Sequence, residues 1–76
     1  MQLIRNVSDL GNAVRSRRKQ LGYTQAFLAS YAGVSASFLS DLENGKETIQ
    51  LSKALDIISL LGMDIFAEPR DSLAGK

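Results

Sequence analysis

The chain has 76 residues, nine Lys or Arg against eight Asp or Glu, and neither cysteine nor histidine. That length makes one domain with a core that is marginal by itself, so oligomerisation is a natural supplement. The missing residue types exclude disulfides, cysteine nucleophiles and the usual zinc and haem ligands, and a net charge of +1 says little about nucleic acid until its distribution is read.

Ser8 is placed to cap a first helix, with Asp9 favourable in its first turn. Leu10, Ala13, Val14, Arg17 and Leu21 follow helical spacing, and Gly22 supplies a left-handed stop. Arg15, Arg17, Arg18 and Lys19 cluster at the end of this helix, whereas Asp41, Glu43, Glu47, Asp56, Asp64, Glu68 and Asp71 lie later. Thr24 caps a second helix with Leu28, Ala29 and Ala32 inward, and Gly33 makes a turn. Ser35 caps a third helix carrying Leu39 and Leu42 inward, ended by Asn44-Gly45. Thr48 or Gln50 opens a fourth, with Leu51, Ala54, Leu55, Ile58 and Leu61 on its inner face. Ile57 and Leu60 fall off that face and form a candidate dimer seam; Gly62 stops the helix.

Beyond Gly62 the pattern changes. Met63, Ile65 and Ala67 alternate with Asp64, Phe66 and Glu68 until Pro69, which reads as a short strand. A lone strand in a helical domain leaves backbone groups unpaired. Either it pairs with the same strand of a second subunit, placing Met63, Ile65 and Phe66 in a dimer interface, or it pairs with Leu3-Ile4-Arg5, or it is no strand. The expected organisation is an N-terminal segment over 1–7, a helical domain over 8–62, a dimerising strand over 63–69 and a flexible tail over 70–76.

No signal peptide is evident in Met1 to Asn6, and Ile57 to Met63, interrupted by Ser59 and Gly62, is far short of the ~20 residues that span a bilayer. An enzyme reading lacks His or Cys for acid–base or nucleophilic work and a glycine-rich phosphate loop. Asp41-Leu42-Glu43-Asn44-Gly45 mimics a calcium loop, but its glycine comes one place early and the twelfth position is Ser52 rather than Glu. Neither a metal nor a cofactor is expected.

Two short helices joined by a small-residue turn can set the second helix in a DNA major groove. The residues Arg15, Arg18, Gly22, Thr24-Gln25, Leu28-Ala29, Ala32-Gly33-Val34-Ser35, Leu39-Ser40, Leu42-Glu43 and Gly45 resemble the Cro/C1-type helix-turn-helix, the Xre family of bacterial and phage repressors. With the fourth helix the resemblance covers most of the chain. It implies an all-α, lambda-repressor-like bundle of four to five helices, with the short C-terminal β-strand pairing across a dimer. Within the family, the strand and overall length resemble the HipB-like antitoxins, whose partner is a HipA-like serine/threonine kinase toxin.

The resemblance also assigns roles. Gln25 either reaches a phosphate or braces a side chain on the next helix, and Thr24 adds a phosphate contact to its cap. Ser35 meets the DNA backbone, Ala36, Ser37 and Ser40 face base edges, and Asp41 accepts from cytosine where phosphates do not repel it. Phe38 either packs at the domain's edge or contacts a base, and Asn44 and Lys46 hold a phosphate in the following loop. Arg18 and Glu43 form a structural ion pair tying the first helix to the third. Arg17 and Lys19 are then the freer charges for phosphate. Phe27 and Tyr31 depart from the family pattern; either Leu3-Ile4 covers them or they mark a protein interface.

The implied function is a repressor that binds a palindromic double-stranded operator as a homodimer. The expected role is the antitoxin of an autoregulated toxin–antitoxin operon, in the bacterial cytoplasm and on the nucleoid when bound, with no membrane partner. A complete chain of repressor-headpiece size, without a sensor domain, is expected. The alternative is a stand-alone phage-type or prophage repressor.

Overall fold

The computed structural model describes residues 2–70. Their helices are α1 (Val7–Gln20), α2 (Gln25–Ala32), α3 (Ala36–Glu43) and α4 (Leu51–Leu60). The fold is an all-α helix-turn-helix bundle. No strand forms among the described residues of this single chain; 63–69 takes no regular secondary structure. The expected tail lies, Arg70 excepted, outside the described residues.

Local chemistry sets the boundaries. Asn6, not Ser8, caps α1: its Oδ1 accepts from the Asp9 N–H at 2.8 Å. Asn6 is extended, while Ser8 already lies inside the helix and against Gly45. Thr24 and Ser35 cap α2 and α3 with hydroxyls that accept from the Phe27 and Phe38 N–H groups, each at 3.0 Å. Gln50 opens α4 without a side-chain cap. At the far ends, Gly22, Gly33, Gly45 and Gly62 take positive φ. In each case the next N–H reaches back five residues, as Val34 does to the Ala29 carbonyl at 3.0 Å.

Leu10 and Val14 of α1, Leu28 and Ala29 of α2, Leu39 and Leu42 of α3, and Ala54, Ile57, Ile58 and Leu61 of the α4 region form one buried core. The inner face of α4 differs from the expected one. Ile57 is 0% exposed, whereas Leu51 and Leu55 are 57% and 43% exposed. Ile57 therefore belongs to the core and leaves the candidate dimer seam; Leu60, still exposed, remains. The sequence offered two phases, and the one that meets α2 wins: 54, 57, 58 and 61 fall at i, i+3, i+4 and i+7.

Gly11 sets the approach of α1 to α3. A methyl group there would strike the Leu42 carbonyl oxygen and sit 2.9 Å from that of Glu43. The two helices meet backbone to backbone at the point where α3 ends.

Candidate nucleic-acid interface

The α1–α2–α3 junction is organised by one carboxylate. Arg18 Nε donates to Glu43 Oε2 at 2.7 Å and a terminal guanidinium nitrogen donates to Oε1 at 3.0 Å. The other terminal nitrogen donates to the Tyr23 carbonyl at 2.8 Å. Gln25 Nε2 completes the set, donating to Glu43 Oε1 at 2.9 Å. Arg18 and Glu43 are both buried. Burial pushes the Glu43 carboxyl up, but the hydrogen bonds from Arg18 and Gln25 and the charges of Arg18 and Arg15 outweigh it and hold the group below its ordinary value. The same hydrogen bond raises Arg18 above its ordinary value against the opposing effect of burial. Three helices are thus clamped at one point, which fixes the angle between α2 and α3.

The clamp also decides what Gln25 does in this chain. Its amide nitrogen braces Glu43, so of the two roles the bracing one is met within the chain. Thr24 has its hydroxyl occupied as a cap.

On α3, Ser35, Ala36 and Ser37 are exposed at its N-terminal end, and Ser40 and Asp41 are half-buried one turn on. Asn44 Nδ2 donates to Ser40 Oγ at 3.4 Å, and Lys46 Nζ lies 3.4 Å from Asp41 Oδ2. The Lys46 pair lessens the repulsion that the Asp41 carboxylate would present to a phosphate. Phe38 is half-buried against the core with Lys53 Nζ 5.8 Å from its ring centroid, so it supports α3 from behind.

The basic cluster of α1 is divided by the fold. Arg18 is consumed by the clamp. Arg17 is not the free charge its sequence position promised: Nε donates to the Leu61 carbonyl at 2.9 Å and a terminal nitrogen to Gln20 Oε1 at 3.0 Å. It holds the end of α4. Lys19 and Arg15 remain exposed. Arg15 was not among the expected contacts, yet its charge acts on Glu43, which puts it at the clamp. Its position one turn before Arg18 was the available signal.

The aromatic residues of α2 are not covered by the N-terminal segment. Phe27 and Tyr31 are 51% and 62% exposed, and their rings stack with centroids 5.9 Å apart and planes 8° apart. Tyr23 adds a third ring, 4.9 Å from Phe27. Ile4 instead packs on the core, and both it and Leu3 line a groove with Met63, Ile65 and Phe66.

A capped helix of small exposed side chains, clamped to a preceding helix across a glycine turn, defines a DNA-binding transcriptional regulator. The chain belongs to the helix-turn-helix family, of the Xre type, whose model matches residues 14–66. It is similar to an uncharacterized HTH-type transcriptional regulator, y4mF, of Sinorhizobium fredii, with 42% identity over 62 residues and 82% of each chain covered. It also resembles the competence pilus inhibition repressor of Acinetobacter baylyi, 49% identical over 39 residues, which are 51% of this chain and 36% of that protein. Among solved structures, a HipB–O4 20mer complex matches with a TM-score of 0.81 and 27% identity, over 92% of this chain and 99% of that one. A HipA–HipB–O2–O3 complex matches with the same TM-score, identity and coverage. Homologues in this family are transcriptional regulators rather than enzymes. No described helix is long and apolar enough to cross a membrane.

Proposed function

We propose that this chain is the antitoxin of a toxin–antitoxin operon, repressing that operon as a homodimer on a palindromic operator and neutralising a HipA-like serine/threonine kinase toxin. The observation that carries the reading is the presentation of α3. Ala36 and Ser37 stand exposed beyond the Ser35 cap, on a helix held by the buried Arg18–Glu43 pair. No Arg stands on α3 for bidentate base contacts, so specificity leans on thymine methyls, water, DNA shape and paired half-sites. Exposed Lys19 and the loop residues Asn44 and Lys46 supply the phosphate contacts.

Dimerisation uses the other side of the molecule. A groove of about 1000 Å³ runs between the N-terminal segment and 63–70, lined by Leu3, Ile4, Ile58, Met63, Ile65 and Phe66. Leu60, Ile65 and Phe66 are left exposed in the single chain. The segment 63–69 of a second copy, paired with its equivalent, covers that apolar surface and satisfies its backbone groups. A two-fold dimer then sets its two α3 helices against half-sites about one DNA turn, roughly 34–36 Å, apart. The similarity to HipB solved with HipA and with 20mers supports the toxin partner and the operator.

Three measurements test the reading. A chain truncated after Gly62 is expected to scatter light as a monomer where the full chain is a dimer; a monomeric full chain removes the dimer. Ser37→Glu, which sets a charge against DNA without touching the core, is expected to abolish operator binding in a gel-shift titration. Co-expression with the product of the adjacent gene, followed by size-exclusion chromatography, is expected to yield a complex with a kinase. A neighbour that is no kinase, or a kinase that never co-elutes, leaves a stand-alone repressor.

A further inference from the structure

We infer that Arg17 is a positioning residue for operator recognition. By holding the carbonyl of Leu61 it sets the direction in which 63–69 leaves the bundle, and with it the separation of the two reading helices; this role presupposes the proposed dimer.

The control point is the exit from α4. The Leu61 carbonyl belongs to the peptide that joins Leu61 to Gly62, and a peptide unit is planar. Holding that oxygen fixes the plane in which the chain enters Gly62. Gly62 takes φ +73°, and glycine is the residue least restricted in its backbone. Unrestrained, it is a pivot. Two bonds hold it from its two sides: the Met63 N–H donates to the Ile58 carbonyl at 3.1 Å, and Arg17 Nε donates to the Leu61 carbonyl at 2.9 Å. The first is internal to the α4 end, whereas the second comes from α1. The guanidinium lies along the turn, since a methyl group on Gly62 would sit 3.5 Å from one of its terminal nitrogens. The other terminal nitrogen donates to Gln20 Oε1 at 3.0 Å, which steadies the planar group from its own helix. The segment that follows Gly62 lines the groove assigned to the dimer with Met63, Ile65 and Phe66.

Arg17 relays this exit to the reading helix. Its neighbour Arg18 pairs with Glu43 at the end of α3. Consecutive residues of α1 thus hold the reading helix and the start of the dimer segment. Without the Arg17 bond the route is longer, because α4 packs mainly on α2 whereas α1 packs on α3. A two-fold axis repeats any change of exit angle in both protomers, so the separation of the reading helices registers it twice. DNA is sensitive to that separation. One base pair more or less moves a half-site both along and around the duplex, and twisting of DNA or protein must absorb the error.

The test uses the full chain and half-sites from duplexes that it selects out of a random pool, with their separation varied base pair by base pair. The unaltered chain is expected to bind one separation about tenfold more tightly than those one base pair away. Arg17→Ala is expected to stay dimeric by light scattering at micromolar concentration and to bring that ratio within about twofold. A loss of stability alone lowers the folded fraction equally for every duplex and leaves the ratio untouched. Arg17→Lys keeps one donor for the Leu61 carbonyl and is expected to restore part of the preference. Should Arg17→Ala fail to fold, Gln20→Ala at the exposed surface loosens the same guanidinium and is expected to lower the ratio about twofold. A ratio that these substitutions leave unchanged overturns the positioning role and leaves the dimer and its operator standing. So does an unaltered dimer that binds every separation alike. A monomeric Arg17→Ala chain also overturns it, since the bond then holds the interface and not its angle. A monomeric unaltered chain overturns both the role and the dimer.

Discussion

Arg18 on α1 and Glu43 at the end of α3 are 25 positions apart in sequence and share two hydrogen bonds in the interior, the shorter 2.7 Å. Their pairing connects stability to presentation. Removing Arg18 alone leaves a buried carboxylate that only the Gln25 amide partners. Arg18→Met is expected to lower the free energy of unfolding by about 3–5 kcal/mol, while Arg18→Met with Glu43→Leu recovers much of that loss, because the intact pair contributes less than its orphaned half costs. Urea denaturation of the two variants and of Glu43→Leu alone closes the cycle. A double variant as unstable as the sum of the singles argues against a coupled pair.

The same carboxylate gives stability a pH dependence of definite sign. An unfolded glutamate titrates near 4.3, and folding lowers the Glu43 value. Between the two values the unfolded state binds more protons, so stability rises with pH there. The contribution is complete above the unfolded value and is lost as pH falls through the folded one. The stability gap between the unaltered chain and Glu43→Gln is therefore expected to be flat from pH 7 to about 5 and to shrink below about 4. A gap that stays constant down to pH 3 separates the carboxylate's charge from the clamp's stability.

Two glycines in helical surroundings are expected to respond differently to the same methyl group. At Gly11 the obstacle is the backbone of α3, which cannot rotate out of the way. Gly11→Ala is expected to cost at least about 1–3 kcal/mol, as overpacking does, despite alanine's better helix propensity. At Gly33 the space is open and φ is +72°, so Gly33→Ala is expected to cost about 1–2 kcal/mol from conformation alone. Raising the temperature in a circular-dichroism melt ranks them. A Gly11→Ala protein as stable as the parent contradicts the close approach of α1 and α3.

Much of this arrangement was legible because it is local. Thr24 and Ser35 each sit one residue before an apolar-periodic run, and a hydroxyl there can satisfy only the nearby N–H groups. The helix stops followed from Gly22, Gly33, Gly45 and Gly62 for the same reason. What failed was decided by more distant neighbours. Ser8 and Asn6 both have the chemistry of a cap, and the close packing of Ser8 on Gly45 is invisible in sequence. Seven of the eleven residues from Leu51 to Leu61 are large aliphatics or alanine, so two faces were equally apolar and only packing chose Ile57 over Leu55. Arg17 and Arg18 were adjacent cations until the Leu61 carbonyl and the Glu43 carboxylate gave each a separate partner. The segment 63–69 carries strand composition, but Met63 bonds back to Ile58 of α4 and no strand forms among the described residues of the single chain.

Arg17 and Lys19 provide the sharpest test of how the fold divides the basic cluster. Arg17 reaches across to the carbonyl of Leu61, which is buried at the end of α4, so its removal strands an acceptor. Arg17→Ala is expected to destabilise the domain by about 1–3 kcal/mol and to leave the salt dependence of DNA binding nearly unchanged. Lys19 is exposed on the last turn of α1, and Lys19→Ala is expected to alter stability by no more than about 0.5 kcal/mol. Its loss weakens binding to all duplexes alike and flattens the slope of log affinity against log salt by about one unit, as expected for one phosphate contact. Urea midpoints and fluorescence anisotropy titrations from 50 to 200 mM salt separate the two roles. Should Arg17→Ala flatten the slope while keeping its urea midpoint, Arg17 contacts phosphate and its bond to Leu61 gives way on binding.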